Sequence, residues 1–385
     1  MGPILVVNAG SSSIKLAVFS GADDTPDVSA VIERIGQPDA LLSIKHRGAK
    51  TPPQQLDEAG ASHASALSAA LPQLTDTSIS AVGHRVVHGG AEFAASKLID
   101  DDVIAALERL VPLARTHQPH HLAAIAAIAE ALPGVPQVAC FDTAFHATIP
   151  EPARTLALPA GVREAGVRRY GFHGLSYRWI VEQLPLYLGA AADGRVVAAH
   201  LGNGASLAGL SQRQSRATTM SFTPLDGLVM GERPGLTDPG AILFMQEEMG
   251  LSLSEVRDVL FKQSGLLGLS GHSNDMRTLL EADDPASRLA LAVYVHRVVR
   301  EVGAMAAEIG GLDALVFTGG VGENAAPIRE AIVDRLGWLG LDLDPNANAE
   351  NQAVVGEDDS KPILIIPANE EAIIAKDTAE VALTA

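Results

Sequence analysis

The sequence predicts an α/β protein that consists of two related domains. Its 385 residues are enough for two domains of about 150 residues each, and 47% of them are hydrophobic. Apolar, strand-like segments alternate with Ala- and Leu-rich, helix-like segments, which favours α/β layers over an all-helical or all-β fold. One hairpin pattern, in which two apolar runs flank a turn of small residues, occurs at residues 4–19 and again at 196–210. We interpret this recurrence as an internal duplication; a chance recurrence of two hairpins is the alternative.

The remaining elements follow in order along the chain. The first hairpin carries a turn at residues 8–13, whose small side chains leave the backbone N–H groups accessible to a phosphate. The second hairpin carries a similar turn at residues 202–206. Apolar spacing and turn residues further predict strands at residues 81–87, 137–141 and 314–318, helices at 59–74, 101–115, 121–132, 287–309 and 327–336, and surface loops at 51–61 and 356–362.

Composition and charge exclude several classes of protein. The net charge of -18 argues against a nucleic-acid partner, because binding to a phosphate backbone needs a basic face. Cys140 is the only cysteine, which excludes an internal disulfide and a cysteine-based zinc site, and its apolar strand predicts an inert core residue. The sequence contains no run of about 18 uncharged apolar residues and begins without a signal-peptide pattern. We therefore expect a cytoplasmic protein that does not contact a membrane.

A third glycine-rich segment, at residues 315–324, follows an apolar strand and precedes a helix-like run. The backbone of such a turn allows close approach, and the helix N-terminus favours an anion, so the segment suits a nucleotide phosphate. A simple tight turn is the alternative. The chain has no Gly-Lys dipeptide and hence no Walker-A loop, and it lacks the His-Arg-Asp and Asp-Phe-Gly motifs of protein kinases. It also lacks the His-Glu-x-x-His motif and any nucleophile elbow, so no hydrolase motif is present.

Five side chains are the candidate chemical groups. Arg85 follows an apolar strand and Arg233 lies in a Pro- and Gly-rich segment, where a guanidinium suits bidentate contact with a carboxylate or a phosphoryl group. Asp142 ends a strand, a good position for holding Mg²⁺. His173 lies between glycines on an apparent loop, and Glu370 follows another apolar strand. The alternatives are surface salt bridges for the arginines and capping for Asp142 and Glu370.

Two sets of histidines invite a metal-binding interpretation that the sequence does not favour. One set lies in a β-branched segment and the other begins a predicted helix, so we expect structural or substrate-facing roles instead. The two sets are His84 with His88, and His117 with His120 and His121.

Taken in order, these segments resemble the acetate kinase family, within the superfamily of actin, the 70-kDa heat-shock ATPases and hexokinase. The resemblance covers nearly the whole chain and is carried by residues 8–15, 83–90, 141–146, 170–174, 200–206, 222–227, 264–271, 317–324 and 369–371. It implies two duplicated actin/ribonuclease-H-like domains with an active-site cleft between them. The implied division is an N-terminal α/β domain at 1–149, onto which a C-terminal helix at 372–385 packs back, and a C-terminal α/β nucleotide-binding domain at 150–371.

The resemblance also implies a role for individual residues. The catalytic group would comprise Arg85, Arg233, Asp142, His173 and His117, in which the arginines hold the acid's carboxylate and stabilise the transferring phosphoryl group. Metal ligands beside Asp142 would be Asn8 and Glu370. The pocket for the acyl group would be lined by Val87, Phe172 and Pro224. The nucleotide would be held by Lys15, Asn203, Gly204, Asp275, Met276, Arg277, Gly320, Val321, Gly322 and Asn324.

The reaction implied is acetate + ATP ⇌ acetyl phosphate + ADP, by direct in-line transfer in a homodimeric enzyme with Mg²⁺ as the metal and Mn²⁺ as its alternative. The nucleophile is a carboxylate with an unperturbed pKa of about 4, so no general base is needed. A kinase for propionate or another short acid is one alternative, because a methylene in an apolar pocket discriminates by only about 1–3 kcal/mol. A switch-type ATPase or nucleotide sensor is the alternative from another class, and it predicts ATP turnover without a small acid.

Three departures from the family pattern bear on the choice of acid. Thr116 precedes His117 where the family usually has Leu, and a change there alters the predicted acyl pocket. Glu232 precedes Arg233 in Gly-Glu-Arg-Pro-Gly, where the family commonly has Gly-Thr-Arg-Ser-Gly, and adds a carboxylate beside a predicted catalytic arginine. Tyr177 stands where a second His usually follows the Gly-Phe-His-Gly motif.

Overall fold

The computed structural model describes residues 2–20, 24–74, 78–115 and 117–383. Thr116, one of the three departures from the family pattern, lies outside the described residues. The chain divides into two compact units, an N-terminal unit of Met1–Phe145 with Asn369–Ala385 and a C-terminal unit of His146–Ala368. No helix in the described part of the chain is long and apolar enough to cross a membrane.

The N-terminal unit is a mixed β-sheet with helices. Its strands are β1 Ile4–Ala9, β2 Ser13–Phe19, β3 Val28–Glu33, β4 Leu41–His46, β5 Ala49–Lys50, β6 Gln54–Gln55, β7 Ala81–Val86, β8 Lys97–Leu98 and β9 Gln137–Phe141. Its helices, numbered along the whole chain, are α1 His63–Ala70, α2 Asp101–Arg109, α3 Gln118–Ala131 and, after eleven helices of the C-terminal unit, α15 Glu370–Leu383.

The C-terminal unit has fewer strands and more helices. Its strands are β10 Arg195–Leu201, β11 Ala205–Ser211, β12 Gln214–Thr218, β13 Ala314–Thr318 and β14 Ile363–Ile365. Its helices are α4 Glu151–Arg154, α5 Ala160–Glu164, α6 Gly174–Leu188, α7 Pro239–Glu247, α8 Leu253–Lys262, α9 Gly265–Ser270, α10 Met276–Glu281, α11 Pro285–Glu308, α12 Gly319–Asn324, α13 Ala326–Val333 and α14 Pro345–Ala349.

The two sheets share one strand order. In the N-terminal unit the order β3-β2-β1-β7-β9 forms the middle of the sheet, and in the C-terminal unit the order is β12-β11-β10-β13-β14. In both, three consecutive strands pair antiparallel, and the first of them also pairs parallel with a later strand that is itself flanked by a further parallel strand. This common topology confirms the predicted α/β fold class and its internal duplication.

Strands were predicted more closely than helices. The strands expected at 137–141 and 314–318 have those bounds, because each is a short, nearly all-apolar run that is buried on both faces of a sheet. The helix expected at 101–115 is wrong in its second half. It ends at Arg109, and a 3₁₀ turn with Pro112 in its first two positions follows. Proline cannot donate the backbone hydrogen bond that an α-helix needs there.

The C-terminal helix α15 belongs to the N-terminal unit. It packs on β1, β7 and β9 through a buried stripe that includes Ile373 and Ile374. Its first residue is Glu370, so the helix starts two residues before the predicted start at 372. The side chain of Asn369 accepts a hydrogen bond from the backbone N–H of Ala372 at 3.2 Å, in the manner of a capping residue. This packing carries Glu370 to the edge of the sheet.

Candidate active site

Neighbouring strands of the N-terminal unit bring several predicted residues to one sheet edge. Strands β1, β7 and β9 run parallel, so their carboxyl ends lie at the same edge. Asn8 is the penultimate residue of β1, Arg85 the penultimate residue of β7, and Asp142 follows β9 directly. The backbone N–H of Asp142 donates to the carbonyl of Val86 at 3.0 Å, which extends the β7–β9 pairing by one step.

Arg85 and Asp142 form a bidentate ion pair. Arg85 Nη2 donates to Asp142 Oδ2 at 2.7 Å, and Arg85 Nε donates to Asp142 Oδ1 at 3.2 Å. The Asp142 side chain is 1% exposed and the Arg85 side chain 20% exposed. Parallel N–H···O bonds of this kind fix the plane of a guanidinium as well as its position.

Two further oxygen atoms lie beside the same guanidinium. Glu370 Oε2 lies 3.5 Å from Arg85 Nε, and Asn8 Oδ1 accepts from Arg85 Nη1 at 3.4 Å. Burial raises the pKa of Asp142 to about 6, and the charge of Glu370 adds to the rise while Arg85 opposes it. Burial lowers the pKa of Arg85, but the charges of Asp142 and Glu370 outweigh burial and raise it overall. The cluster is therefore a cation between two carboxylates, with a net negative charge at neutral pH.

Three other predicted residues belong to the N-terminal unit. Lys15 pairs with Asn8 across β1 and β2, but its side chain is exposed. Val87 follows β7 and is 5% exposed. His117 is the half-buried residue before α3.

Histidines 84 and 88 have protein partners. His84 Nε2 bonds to Gln137 Oε1 at 2.7 Å, and His88 Nδ1 accepts from the backbone N–H of Gly90 at 2.9 Å. Burial lowers the pKa of each of these two histidines to about 4, so both are neutral at pH 7. Cys140 is buried, as expected for a core residue.

In the C-terminal unit, two predicted catalytic residues converge on the turn between β10 and β11. A Cβ atom added to Gly204 would lie 2.8 Å from Arg233 Nη2 and 3.4 Å from His173 Nε2. Only glycine leaves room for this close approach of a guanidinium and an imidazole to the backbone. The structure therefore brings His173, Arg233 and Gly204 together.

Arg233 is held by a carbonyl rather than by a carboxylate. Its Nη1 donates to the backbone oxygen of Pro224 at 2.7 Å. Within the described ranges, no carboxylate lies within ion-pair distance of Arg233. Burial lowers the pKa of Arg233 to about 10, and the charge of Glu232 opposes the shift. The guanidinium therefore stays charged at neutral pH, and among the described residues no carboxylate accepts a hydrogen bond from it. The carboxylate of Glu232 itself accepts from Asn274 Nδ2 at 2.9 Å.

The histidine of this site has a constrained position. His173 immediately precedes α6 and has left-handed backbone angles, φ 58° and ψ 25°. This conformation costs energy in a non-glycine residue and recurs at functional sites. His173 Nδ1 lies 2.9 Å from Ser206 Oγ, and its ring stacks on that of His200 at 4.2 Å between centroids. The preceding residue, Phe172, is 2% exposed.

A cavity of about 600 Å³ adjoins the same turn in the C-terminal unit. Its walls are the β10–β11 turn, the start of α10, and the segment from α12 to the start of α13. The predicted nucleotide-binding residues that line it are Asn203, Asp275, Met276, Arg277, Gly320, Val321 and Asn324. Gly204 and Gly322 are not among its lining residues. The lining residues that sequence reasoning missed are Gly202, Leu266, Asn274, Leu280, Ala325 and Pro327.

The missed lining residues carried little signal. Leu266 and Leu280 have the spacing of ordinary helix residues, whereas Gly202 begins the predicted turn at residues 202–206 and Asn274 precedes Asp275 directly. A buried arginine was missed as well. Arg329 is fully buried. It donates to the backbone oxygen of Gly322 at 2.9 Å and to Asn348 Oδ1 at 2.7 Å, and the first of these bonds stabilises α12.

The oxygen donors of the N-terminal unit fit a hard cation. Asn8, Asp142 and Glu370 offer an amide oxygen and two carboxylates, the ligand type that Mg²⁺ and Mn²⁺ prefer. In the part of the chain that the structure describes, no group of three or more His, Cys, Asp or Glu side chains converges as a metal site, and this cluster offers two carboxylates with one amide oxygen.

Comparison with known proteins is consistent across the whole chain. The family model of the acetokinase family matches residues 3–376. An acetate kinase from Rhodopseudomonas palustris is 47% identical over 385 residues, which cover 97% of this chain and 96% of that protein. Acetate kinase 1 of Neisseria meningitidis is 43% identical over 391 residues, with 98% of each chain covered.

Solved structures agree with the sequence relatives. A propionate kinase from Francisella tularensis superposes with a TM-score of 0.94 at 37% identity, covering 99% of this chain and all of that chain. The acetate kinase of Porphyromonas gingivalis superposes with a TM-score of 0.90 at 36% identity and the same coverage. Since the family model and relatives above 40% identity each span nearly its full length, this chain belongs to the acetokinase family.

Proposed function

We propose that this protein is an acetate kinase, which transfers the γ-phosphoryl group of ATP to acetate and forms acetyl phosphate and ADP reversibly. Family membership supports the reaction type and its small-molecule substrates. One geometric observation carries the proposal: the turn at residues 202–204 borders the cavity on one side and Arg233 and His173 on the other. A nucleotide in that cavity would present its terminal phosphate to both side chains.

The mechanism we propose needs charge stabilisation more than acid–base chemistry. Acetate is already ionised at neutral pH, so it attacks phosphorus without a general base. In-line transfer passes through a loose transition state with charge on the equatorial oxygens of the phosphoryl group. Arg233 and the Nε2 of His173 are the proposed hydrogen-bond donors to those oxygens. Arg85, fixed by Asp142, is the proposed partner of the acid's carboxylate, and Val87, Phe172 and Pro224 are the proposed contacts of the acyl group. His117 and Lys15 stay predicted contacts of the transferring group and the nucleotide.

A divalent cation belongs to this proposal. Asn8, Asp142 and Glu370 would hold Mg²⁺, or Mn²⁺ in its place. When bound there, the cation would supply positive charge that offsets the negative charge of the phosphate groups. The side chain of Arg85 keeps the two carboxylates apart and fixes their orientation, as its contacts at 2.7 Å and 3.5 Å indicate.

We further propose a homodimer of two-domain subunits in the cytoplasm, with the two units as the N-terminal and the nucleotide-binding domain. Helix α7 is largely apolar, but none of its residues is buried. Leu243, Phe244, Met249 and Leu253 are each more than half exposed. An apolar surface of this kind on a folded chain is typical of a protein interface. The free thiol of Cys140 is compatible with a reducing compartment.

The direct test is an acyl-phosphate assay. The protein is incubated with ATP, Mg²⁺ and one acid from a series from formate to butyrate, and hydroxylamine traps the product. A parallel reaction without acid measures ADP release. We expect trapped product with a maximum at acetate. A maximum at propionate would favour the alternative that the Francisella tularensis neighbour represents. ADP release without any acyl phosphate would refute the kinase and favour a switch-type ATPase.

A further inference from the structure

A buried hydrogen-bond chain connects Tyr177 to His173. The Tyr177 hydroxyl lies 2.5 Å from Ser206 Oγ, and Ser206 Oγ lies 2.9 Å from His173 Nδ1. Tyr177 and Ser206 are both 0% exposed. The hydrogen-bond chain connects the first turn of α6 to the start of β11, and β11 follows directly after the turn that contains Gly204. Regular secondary structure therefore fixes Tyr177 and Ser206, and His173 is the residue that immediately precedes α6.

The direction of these hydrogen bonds follows from the chemistry of each group. Burial raises the pKa of Tyr177, so the phenol keeps its proton, and a backbone hydrogen bond from His200 occupies the phenol oxygen as an acceptor. The phenol proton is then available to Ser206 Oγ. A serine hydroxyl has one proton, and among the described residues the Ser206 oxygen has only Tyr177 and His173 as hydrogen-bond partners. When it accepts from Tyr177, donation of its own proton to His173 Nδ1 is the arrangement that leaves no buried donor unpaired.

A ring nitrogen that accepts a hydrogen bond carries no proton. With Nδ1 as the acceptor, neutral His173 has its proton on Nε2. Nε2 is the atom that lies 3.4 Å from the Cβ position of Gly204, and Arg233 Nη2 lies 2.8 Å from the same point. Two N–H donors thus converge on one place beside the turn, which is the arrangement that stabilises an anionic oxygen.

We propose that Tyr177 is a positioning residue, which acts through Ser206 to hold His173 in the Nε2–H tautomer and so keeps a hydrogen-bond donor aimed at the transferring phosphoryl group. The proposal rests on the proposed kinase function for its last step only. The tautomer itself is a property of the protein without substrate. Stacking on His200 fixes the plane of the ring, and the hydrogen-bond chain fixes which edge carries the proton.

The test compares two tyrosine-to-phenylalanine variants. Tyr177→Phe removes the hydroxyl at the start of the chain. Tyr294→Phe is the matched control, because Tyr294 is 1% exposed and its hydroxyl has no hydrogen-bond partner among the described residues. Both variants lose one buried hydroxyl, so a general effect on packing appears in both. Thermal unfolding of each checks that the fold is kept.

Two readouts separate positioning from a structural role. With ATP and acetate, we expect kcat of Tyr177→Phe to fall about tenfold, as for the loss of one hydrogen bond to a charged group, while KM for ATP changes less than about twofold. Histidine ¹⁵N spectra of the substrate-free protein, assigned with His173→Gln, should show the Nε2–H form in wild type and a mixture in Tyr177→Phe. Ser206→Ala should give the same mixture, and Tyr294→Phe should leave kcat and the spectrum unchanged.

The outcomes are distinct. An unchanged tautomer in Tyr177→Phe, or an equal loss of kcat in both phenylalanine variants, would overturn the proposal. If wild type forms no acyl phosphate, the kinase assignment fails, and the ¹⁵N spectra still decide whether Tyr177 sets the tautomer of His173.

Discussion

Replacement of Arg85 by methionine is expected to lower both stability and turnover, because it leaves the buried carboxylate of Asp142 without its cation. Methionine preserves most of the volume of the arginine stem, so packing changes little. Asp142 would lose two charge-assisted hydrogen bonds, at 2.7 Å and 3.2 Å, while it stays 1% exposed. The stem of Arg85 is largely buried as well, so water does not replace the lost donors freely.

The magnitude follows from two limits. Removal of one partner of a buried ion pair typically costs about 3–5 kcal/mol. Asp142 can instead take up a proton, and because its pKa in wild type is already about 6, protonation at pH 7 costs only about 1.4 kcal/mol. The lost hydrogen bonds add to this cost, so we expect the free energy of unfolding to fall by about 2–3 kcal/mol, or roughly 5–10 °C in the melting temperature of a unit of this size.

The loss depends on pH in a defined direction. Burial already raises the pKa of Asp142 to about 6 in wild type, and loss of Arg85, which opposes that rise, raises it further. Between these two folded-state values the folded variant binds more protons than folded wild type, so the stability of the variant relative to wild type falls as pH rises through that window. Toward pH 4.5 the carboxyl is largely protonated in both folded proteins, and the deficit should shrink.

The assay is urea unfolding of wild type and variants at pH 7 and pH 4.5, with acyl-phosphate formation measured in parallel. Arg47→Met is the matched control in the same unit. Arg47 also makes two hydrogen bonds to an aspartate, Asp27, but its side chain is 85% exposed, so we expect a change below about 1 kcal/mol. The double variant Arg85→Met/Asp142→Asn should recover most of the stability and none of the activity.

Turnover of Arg85→Met should fall by about 10²–10³-fold, the usual effect of removing one donor from a developing charge. An unfolding free energy equal to that of wild type at pH 7 would contradict the burial argument. A rate within tenfold of wild type would contradict the proposed role of Arg85, whatever the stability. Recovery of activity in the double variant would also contradict the proposed role of Arg85 in turnover.

Three other expectations follow from the site. Arg233→Met should lower turnover by about 10²-fold or more without the stability loss of Arg85→Met, because no carboxylate among the described residues pairs with Arg233. Urea unfolding and the acyl-phosphate assay together check this expectation. Gly204→Ala should displace the end of the Arg233 side chain, 2.8 Å from the new methyl group, and reduce kcat at least tenfold with a normal circular dichroism spectrum. Burial holds the pKa of His84 and of His146 at about 4, so between pH 6.5 and 4 the unfolded state binds more protons than the folded state. The free energy of unfolding should therefore fall by up to about 3 kcal/mol per histidine as the pH is lowered through this range. Urea unfolding that shows no such decline would contradict the burial of these histidines as neutral groups.

The sheets were predictable because their signal is local. Strands such as β9 and β13 are short apolar runs with few alternatives, and the recurrence of one hairpin pattern foreshadowed the common strand order. Helix ends were less predictable. Apolar spacing continues past Arg109, and only the position of Pro112 stops the helix. Periodicity measures which face is buried, and a proline interrupts a helix without changing that pattern.

The candidate site was predictable where residues end strands. Arg85 and Asp142 stand at the ends of neighbouring parallel strands, and this placement alone brings them together across 57 residues of sequence. The contacts between side chains were not predictable. Tyr177 meets Ser206 across 29 residues, and Glu232 meets Asn274 across 42. Each depends on how helices pack on the sheet, and hydrophobic patterning carries no information about which polar pairs that packing produces.

The two arginines show how a protein with a net charge of -18 can bind anions. Arg85 lies between Asp142 and Glu370, so its surroundings are net negative and do not attract a carboxylate or a phosphate by themselves. Burial is the main cause of the rise in the pKa of Asp142, and the negative charge of Glu370 adds to it. In the described part of the chain, the guanidinium of Arg233 donates to the carbonyl of Pro224 and to no carboxylate, and it keeps its full charge beside a glycine turn. A bound divalent cation would therefore change the electrostatic surroundings of Arg85 but not those of Arg233. The acidic cluster would then favour anions only when the cation that its oxygen donors fit is bound.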